Sequence, residues 1–362
     1  MKKITRKNFM ISILCITFIG TLFYIANFQT DSKQWISPSE NFFNVNILVY
    51  MKPTTSYATP YVKEPVTEII AGDKNIYFLE TSHIKDKNEI ILNPRQGCAV
   101  ESAARMNPTM KVYFFLFNTN RVLNYSNETK NIIKQLMSYE NIVIRHISLE
   151  TYFENSPMSK WWNSTRGPNS SQWFTSHMSD VLRYLTLWKF SGIYLDLDVV
   201  ILKSLEHLTN FVCAESSIDI AAGAIGFDSL DVGRQFANAC LYEIMTNFRG
   251  DDWGYNGPGV ITRTLKKICN TDIISEMTDD RCDGFKVFAP SAFYPIRWKE
   301  WKQYFNIKDK NATMKSIEDS LAIHVWNKHS QSTVIKVGSA VPYAEIANQY
   351  CPKVYNNCGD TF

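Results

Sequence analysis

Strand-like and helix-like segments alternate from residue 75 onward, and this order restricts the chain to few architectures. The candidate strands are residues 75–80, 111–117, 141–148 and 192–202, and the candidate helices between them are residues 98–106, 131–139 and 179–190. Alternation of this kind predicts an α/β fold with a mostly parallel sheet and helices on both faces. Ligands of such sheets bind at the carboxyl ends of the strands, so we expect the functional site there.

A basic cluster and an apolar segment open the chain. Residues 9–26 carry no charge, and a helix of that length spans about 27 Å, close to the hydrocarbon core of a bilayer. The positive charges precede this segment, so the positive-inside rule leaves residues 1–8 in the cytosol. The sequence predicts a cytosolic tail at 1–8 and a transmembrane signal-anchor at 9–26. A cleaved signal peptide is the alternative, although no small-residue cleavage site follows.

Residues 27–72 have the composition of a spacer. Four prolines recur there among Ser and Thr, with only short apolar runs. Such segments hold a domain at a distance from a membrane. We therefore predict a stem at 27–72 and, because no repeat or second linker follows, one domain at 73–362.

Composition and charge exclude two classes of protein. Hydrophobic residues make up 45% of the chain, which is too apolar for a disordered protein. The net charge is +3, and the first seven residues supply four positive charges, which leaves 34 Lys and Arg against 35 Asp and Glu. A folded domain without a basic excess is a poor candidate for binding nucleic acid.

Glycosylation sequons point to the secretory pathway. The five acceptor asparagines are Asn124, Asn127, Asn163, Asn169 and Asn311. They lie in polar stretches, which favours exposed loops that carry N-linked glycans.

Cysteines support an oxidising compartment. Seven lie outside the apolar segment and allow up to three disulfides. Cys269 and Cys282 are close enough in sequence to pair, as are Cys351 and Cys358, but spacing does not settle the connectivity. No pair has the C-x-x-C spacing of a structural zinc site, which we exclude.

An acidic pair, Asp196 and Asp198, interrupts the most apolar candidate strand. Residues two apart on a strand point to the same face, so both carboxylates are expected to project together. A divalent cation such as Mg²⁺ or Mn²⁺ offsets the cost of burying them, and the cation can in turn neutralise a nucleotide diphosphate. The alternative is a solvated or salt-bridged pair of carboxylates at the end of a strand.

Two further polar residues are candidates for the same site. Asp180 and Arg183 lie three apart on the preceding helix and so share a face, although an ordinary helix ion pair is the alternative.

The segment 179–198 resembles the DxD sugar-binding region of the glycosyltransferases that include α-1,4-galactosyltransferases and α-1,4-N-acetylglucosaminyltransferases. Further blocks are similar to those of the globotriaosylceramide synthase family, in the same order: residues 75–82, 98–104, 256–263, 293–296 and 324–328. The resemblance covers about residues 73–355. It implies a GT-A fold with a Rossmann-like sheet, a UDP-sugar donor, Mn²⁺ or Mg²⁺, retention of anomeric configuration, and a catalytic domain in the Golgi lumen.

The resemblance also implies roles for individual residues. Asp196 and Asp198 would be the catalytic, metal-holding pair. His324 would be a third ligand, because a neutral imidazole can ligate Mn²⁺ or bond a phosphate oxygen, and a histidine packed against Trp326 is its alternative. Donor-sugar binding falls to Asp180, Arg183 and Asn256, the last of which has an ordinary turn as its alternative role. The nucleotide would lie near the segment that consists of Phe78, Leu79, Glu80 and Thr81, for which a plain core strand is the alternative.

Transfer of galactose or GalNAc from a UDP-sugar to a glycosphingolipid such as lactosylceramide is the implied activity. The alternatives are an α-1,4-N-acetylhexosaminyltransferase acting on glycolipid or glycoprotein glycans, and an inactive glycan-binding membrane protein. No carboxylate in the sequence can be assigned as a nucleophile, so front-face attack is favoured, with Asp219 only a bystander candidate. Trp161 and Trp162 are expected either in a loop over the acceptor or as buried rings.

Overall fold

Seven strands form the central sheet of the computed structural model, which describes residues 72, 74–82, 84, 89–118, 124–165 and 167–362. In chain order the strands are β1 (Asn75–Glu80), β2 (Glu89–Ile90), β3 (Lys111–Asn118), β4 (Asn124–Tyr125), β5 (Ile142–Ser148), β6 (Gly192–Leu195), β7 (Val199–Ile201), β8 (Phe211–Ala214), β9 (Ile220–Phe227), β10 (Lys286–Phe288) and β11 (Ala322–His324). The α-helices are α1 (Pro94–Met106), α2 (Asn127–Leu136), α3 (Leu149–Tyr152), α4 (Ser159–Thr165), α5 (Phe174–Phe190), α6 (Asp231–Asn247), α7 (Pro258–Ile268), α8 (Lys310–Ile317), α9 (Asn327–Ser330), α10 (Pro342–Tyr350) and α11 (Pro352–Asn356). Short 3₁₀ helices span Ile274–Glu276, Pro290–Ala292, Trp298–Phe305 and Ile307–Asp309.

The central sheet is mostly parallel. Its strand order is β10-β8-β9-β6-β1-β3-β5. Four of the neighbouring pairs are parallel, and β9 runs antiparallel to both β6 and β8. Two small ladders complete the described pairing: antiparallel β7·β11 and parallel β2·β4. The predicted α/β class and mostly parallel sheet are confirmed.

Helices cover both faces of the sheet, because alternate residues of each strand face opposite sides. Tyr77 and Leu79 of β1 pack into a core with α5, α6 and α7. Ile76 and Phe78 pack into a second core with α1. Every residue of β1 is buried, as expected of a strand that is covered on both faces.

The strand predicted at 192–202 is interrupted. β6 ends at Leu195, the chain turns through residues 196–198, and β7 belongs to a different ladder. The amide of Asp196 donates to the Gly223 carbonyl at 2.8 Å, and the amide of Val199 donates to the Asp196 carbonyl at 3.0 Å. The continuous-strand prediction was wrong because acidic side chains cost less at a turn than inside an apolar strand.

A disulfide joins Cys98 on α1 to Cys351, which follows α10. Cys269 and Cys282 form a second disulfide, and sequence proximity had suggested this pair. The other suggested pair does not form, because Cys351 is already bonded and Cys358 is left as a half-buried thiol. The disulfide thereby joins the C-terminal helices to α1, the helix that follows β2.

Several sequence-based expectations lie outside the described residues. These are the tail at 1–8, the anchor at 9–26 and the stem at 27–72, apart from Gly72 itself. Within the ranges that the structure describes, no helix combines the length and the apolarity needed to cross a bilayer. The five sequon asparagines are all exposed.

Replacing Cys98 and Cys351 together by Ala should lower the free energy of unfolding more than replacing Cys269 and Cys282. The first bond closes a sequence separation of 253 residues and the second a separation of 13. We expect losses of about 5.5 and about 3 kcal/mol, because a longer closed loop restricts the unfolded chain more. Urea unfolding followed by tryptophan fluorescence measures both losses. Equal losses, or a larger loss for the short loop, would contradict this ranking.

Candidate functional site

The turn at residues 196–198 and the end of β11 meet at the carboxyl end of β6. The β7·β11 ladder pairs His324 with Val199. The amide of Val325 donates to the Asp198 carbonyl at 2.9 Å. Backbone pairing therefore brings the imidazole of His324 beside two carboxylates that lie far away in sequence.

Asp196, Asp198 and His324 form one cluster. Their ligand atoms all lie within 4.8 Å of one another, and no other such group of His, Cys, Asp or Glu occurs among the described residues. His324 Nε2 lies 3.1 Å from Asp198 Oδ1 and 3.9 Å from Asp196 Oδ2. The amide of Trp326 donates to His324 Nδ1 at 3.2 Å, which turns Nε2 toward the carboxylates.

The three ionisable groups have shifted pKa values. Burial alone raises the pKa of Asp196, but Arg183 and His324 outweigh burial and bring that pKa to about 2. Burial and the nearby Asp196 charge raise the pKa of Asp198 in spite of His324. Burial lowers the pKa of His324, yet the two carboxylates raise it by more, to above its usual value. The cluster therefore favours a bound positive charge, whether a proton or a cation.

Arg183 links this cluster to the preceding helix. Its Nη2 lies 3.0 Å from Asp180 Oδ1 and 3.5 Å from Asp196 Oδ1. Its Nη1 donates to the Ala222 carbonyl at 2.7 Å, and its guanidinium lies 4.9 Å from the ring centroid of Tyr194. The ion pair that the sequence suggested on α5 is present, and its arginine also holds the DxD turn.

Asp180 is packed against the Gly-Pro-Gly turn. A Cβ atom on Gly257 would lie 2.2 Å from Asp180 Oδ1, so the absent side chain allows this close approach. Burial raises the pKa of Asp180 to about 7, against the opposing effect of Arg183. The turn thus shapes the site through its backbone.

Asn256, in the same turn, is placed differently from the sequence-based expectation. Its amide oxygen accepts from the Arg249 amide at 2.9 Å, and its amide nitrogen donates to the Arg249 carbonyl at 2.5 Å. It is buried and does not line the cavity described below. The structure therefore does not support the expected contact between Asn256 and a sugar, because the oxygen and the nitrogen of its side chain both bond the backbone of Arg249.

A cavity of about 700 Å³ lies over the DxD turn, a size typical of small-molecule sites. Three residues of the expected nucleotide segment line it: Leu79, Glu80 and Thr81. Phe78 does not, because strand alternation turns its ring into the opposite core. Asp180, Arg183, Asp196, Asp198 and His324 line the same cavity.

Residues that the sequence did not single out also line this cavity. Glu215 follows β8 there, and burial raises the pKa of its carboxyl group. The Tyr294 hydroxyl is buried without a hydrogen-bond partner among the described residues. In the sequence, Tyr294 was noted only as part of the block 293–296 that resembles the family. Nothing in the sequence pattern around Glu215 indicates a site. Asp219, the bystander candidate, is exposed and lies outside the cavity.

Trp161 and Trp162 lie on α4 rather than in a loop over the cavity. The ring of Trp162 stacks on Phe153 with centroids 4.4 Å apart and planes 2° apart. Trp161 packs against Phe248 at 5.9 Å. The structure therefore supports the packing alternative for both rings.

Two family models match the chain. Residues 93–217 match the glycosyltransferase sugar-binding region containing a DXD motif, and residues 229–358 match the alpha 1,4-glycosyltransferase conserved region. Together they cover both halves of the site, since the first contains the DxD turn and the second contains His324.

Two enzymes with assigned activities and one protein of known structure are similar to this chain. Lactosylceramide 4-alpha-galactosyltransferase of Mus musculus is 32% identical over 290 residues, which are 79% of this chain and 76% of that protein. Alpha-1,4-N-acetylglucosaminyltransferase of Homo sapiens is 28% identical over 313 residues, which are 85% of this chain and 88% of that protein. The solved PaToxG glycosyltransferase matches 81% of this chain and 89% of its own at 14% identity and a TM-score of 0.40. The chain belongs to the α-1,4-glycosyltransferase family, whose sugar-binding region carries the DXD motif.

Proposed function

We propose that this α-1,4-glycosyltransferase transfers galactose or GalNAc from a UDP-sugar to a glycosphingolipid such as lactosylceramide, with retention of configuration. One observation carries the proposal: Asp196, Asp198 and His324 converge within 4.8 Å beside the Asp180–Arg183 pair. The 32% identity to a lactosylceramide 4-alpha-galactosyltransferase supports the choice of donor and acceptor.

The acidic cluster fits a divalent cation. Two carboxylates and one imidazole suit Mn²⁺, and Mg²⁺ is the alternative. A Cβ atom on Gly223 would lie 2.9 Å from Asp196 Oδ2 and 3.3 Å from His324 Cδ2, so the glycine leaves room beside the ligands. Asp196, Asp198 and His324 would hold the ion, which when bound supplies charge stabilisation to a departing diphosphate.

The remaining polar residues have separable roles. Asp180 and Arg183 are held rigidly by one another and by the Ala222 carbonyl, and we assign them to hydroxyl groups of the donor sugar. Leu79, Glu80 and Thr81 line the same cavity beyond this pair, and we assign them to the nucleotide. Such prearranged polar groups position a sugar without reorganisation during the reaction.

Front-face attack remains our proposal for how configuration is retained. Asp219 is outside the cavity, so it is withdrawn as a candidate. Glu215 is a cavity carboxylate outside the DxD cluster, and burial raises the pKa of its carboxyl group. Neither the sequence nor its contacts assign it as a nucleophile, so we keep direct attack by the acceptor hydroxyl.

We also propose a lumenal Golgi location for the folded domain, behind a type II anchor. The two disulfides among the described residues are compatible with an oxidising lumen. The five exposed sequon asparagines are compatible with glycan attachment there.

Asp198→Asn should abolish Mn²⁺-dependent UDP binding while leaving the fold intact. Asparagine has the size of aspartate but lacks its negative charge, so one anionic ligand is lost. Its side-chain oxygen can still accept from the backbone amide of Asn327, which donates to Asp198 Oδ2 at 2.8 Å. Calorimetry of UDP binding with and without Mn²⁺ measures the effect. Asp219→Asn is the matched control, because Asp219 is exposed and lies outside the cavity. This variant should bind UDP with the affinity of the wild type. Wild-type UDP affinity in Asp198→Asn would rule out the metal assignment.

Gly223→Ala should weaken Mn²⁺ binding by about tenfold, in the range for groups that support metal ligands. The added methyl group would lie 2.9 Å from Asp196 Oδ2 and 3.1 Å from the Tyr294 hydroxyl. Asp196 cannot easily yield, because the Tyr194 hydroxyl and Arg183 hold its other oxygen. Mn²⁺ titration by electron paramagnetic resonance gives the affinity. Gly72→Ala is the control, because a Cβ atom at that position meets no other atom within 4 Å. Equal Mn²⁺ affinity in the two variants would show that the methyl group at residue 223 does not crowd the ligands.

A donor panel separates the proposed activity from its alternatives. UDP-galactose, UDP-GalNAc and UDP-GlcNAc are each incubated with lactosylceramide and Mn²⁺, and the products are read by mass spectrometry. We expect a hexose or N-acetylhexose to be added fastest from UDP-galactose or UDP-GalNAc. Preference for UDP-GlcNAc would favour the alternative activity, transfer of an N-acetylhexosamine, for which the human alpha-1,4-N-acetylglucosaminyltransferase is the similar protein. Absence of both transfer and Mn²⁺-dependent UDP binding would leave the glycan-binding alternative.

A further inference from the structure

Two tryptophans with exposed rings line the cavity that also holds the buried polar cluster. Trp253 is 40% exposed and Trp298 is 43% exposed, whereas most large apolar side chains of the described residues are buried. Both belong to the lining of the same cavity as the DxD cluster. Exposed indoles at the edge of a polar cavity need an explanation, because they cost hydration free energy until something covers them.

One short helix supports both indoles. Lys328 Nζ lies 3.3 Å from the ring centroid of Trp253. His329 stacks on Trp298 with centroids 5.4 Å apart and planes 19° apart. Lys328 and His329 are consecutive residues of α9 and also line the cavity, so this one helical turn contacts both rings.

The same helix is bonded to the acidic cluster. The amide of Asn327, the first residue of α9, donates to Asp198 Oδ2 at 2.8 Å. The preceding residue, Trp326, adopts a left-handed backbone with φ 56°, a conformation that costs energy in a side-chain-bearing residue and is concentrated at functional sites. The positions of the indoles are therefore fixed relative to Asp198.

We infer that Trp253 and Trp298 form the subsite for the terminal hexose of the acceptor glycan, an inference that rests on the proposed function. Pyranose rings present apolar C–H faces, and indoles bury such faces while leaving the sugar hydroxyls in water. The donor sugar is assigned to the buried charged groups, so the exposed indoles are left for a sugar that arrives from solvent. No charge on the acceptor is needed, which suits a neutral glycan.

The test measures lactose binding to the full-length protein in detergent with UDP and Mn²⁺ present, by saturation-transfer NMR. Trp298→Ala should weaken lactose binding by about tenfold, and Trp298→Phe should recover most of it. UDP affinity, measured by calorimetry, should not change. Trp301→Ala is the matched control, because this indole lies on the same 3₁₀ helix but packs on Phe305 outside the cavity.

Each other outcome overturns the inference in a distinct way. Unchanged lactose affinity in Trp298→Ala, or a lack of lactose binding by wild type, removes these indoles as an acceptor subsite. Loss of UDP affinity with lactose binding intact assigns the indoles to the uracil base instead. Failure of the proposed function has a different signature, since it would leave wild type without Mn²⁺-dependent UDP binding or sugar transfer.

Discussion

The site depends on one buried guanidinium. Arg183 lies between Asp180 and Asp196, and it also donates to a backbone carbonyl of β9. Two carboxylates this deep in an apolar protein would be costly without a positive partner, and removing one member of such a group leaves an uncompensated charge. The helix α5, the DxD turn and β9 are therefore joined by a single side chain, and the geometry of the donor end follows from it.

The C-terminal part of the domain completes the site through backbone pairing. The β7·β11 ladder places His324, and the next few residues supply the amide that bonds Asp198 and the turn that braces the two indoles. His324 and the residues that contact the exposed indoles thus come from one stretch of chain. A change in this stretch is expected to affect the proposed cation site and the proposed acceptor subsite together.

Local patterns predicted the fold class and much of the site. The helix and strands around Asp180, Arg183 and the DxD motif follow from apolar periodicity, and the family resemblance added His324. The break in the strand at Asp196 was missed because apolar residues continue on both sides of it. For Trp161 and Trp162 the sequence left a loop over the acceptor and buried rings equally open, and the structure packs Trp162 against Phe153 and Trp161 against Phe248. Glu215, Trp253 and Trp298 reach the cavity only through tertiary packing, which no local spacing encodes.

The bond between Cys98 and Cys351 has a consequence for biogenesis. Its two sulfur atoms are separated by 253 positions in the sequence, so the ribosome must release nearly the whole polypeptide before they can meet. Until then the thiol of Cys98 can pair wrongly with a cysteine made before Cys351, such as Cys213 or Cys240. A catalyst of thiol–disulfide exchange is therefore expected to speed formation of the native bond, and a chain truncated before residue 351 cannot form it.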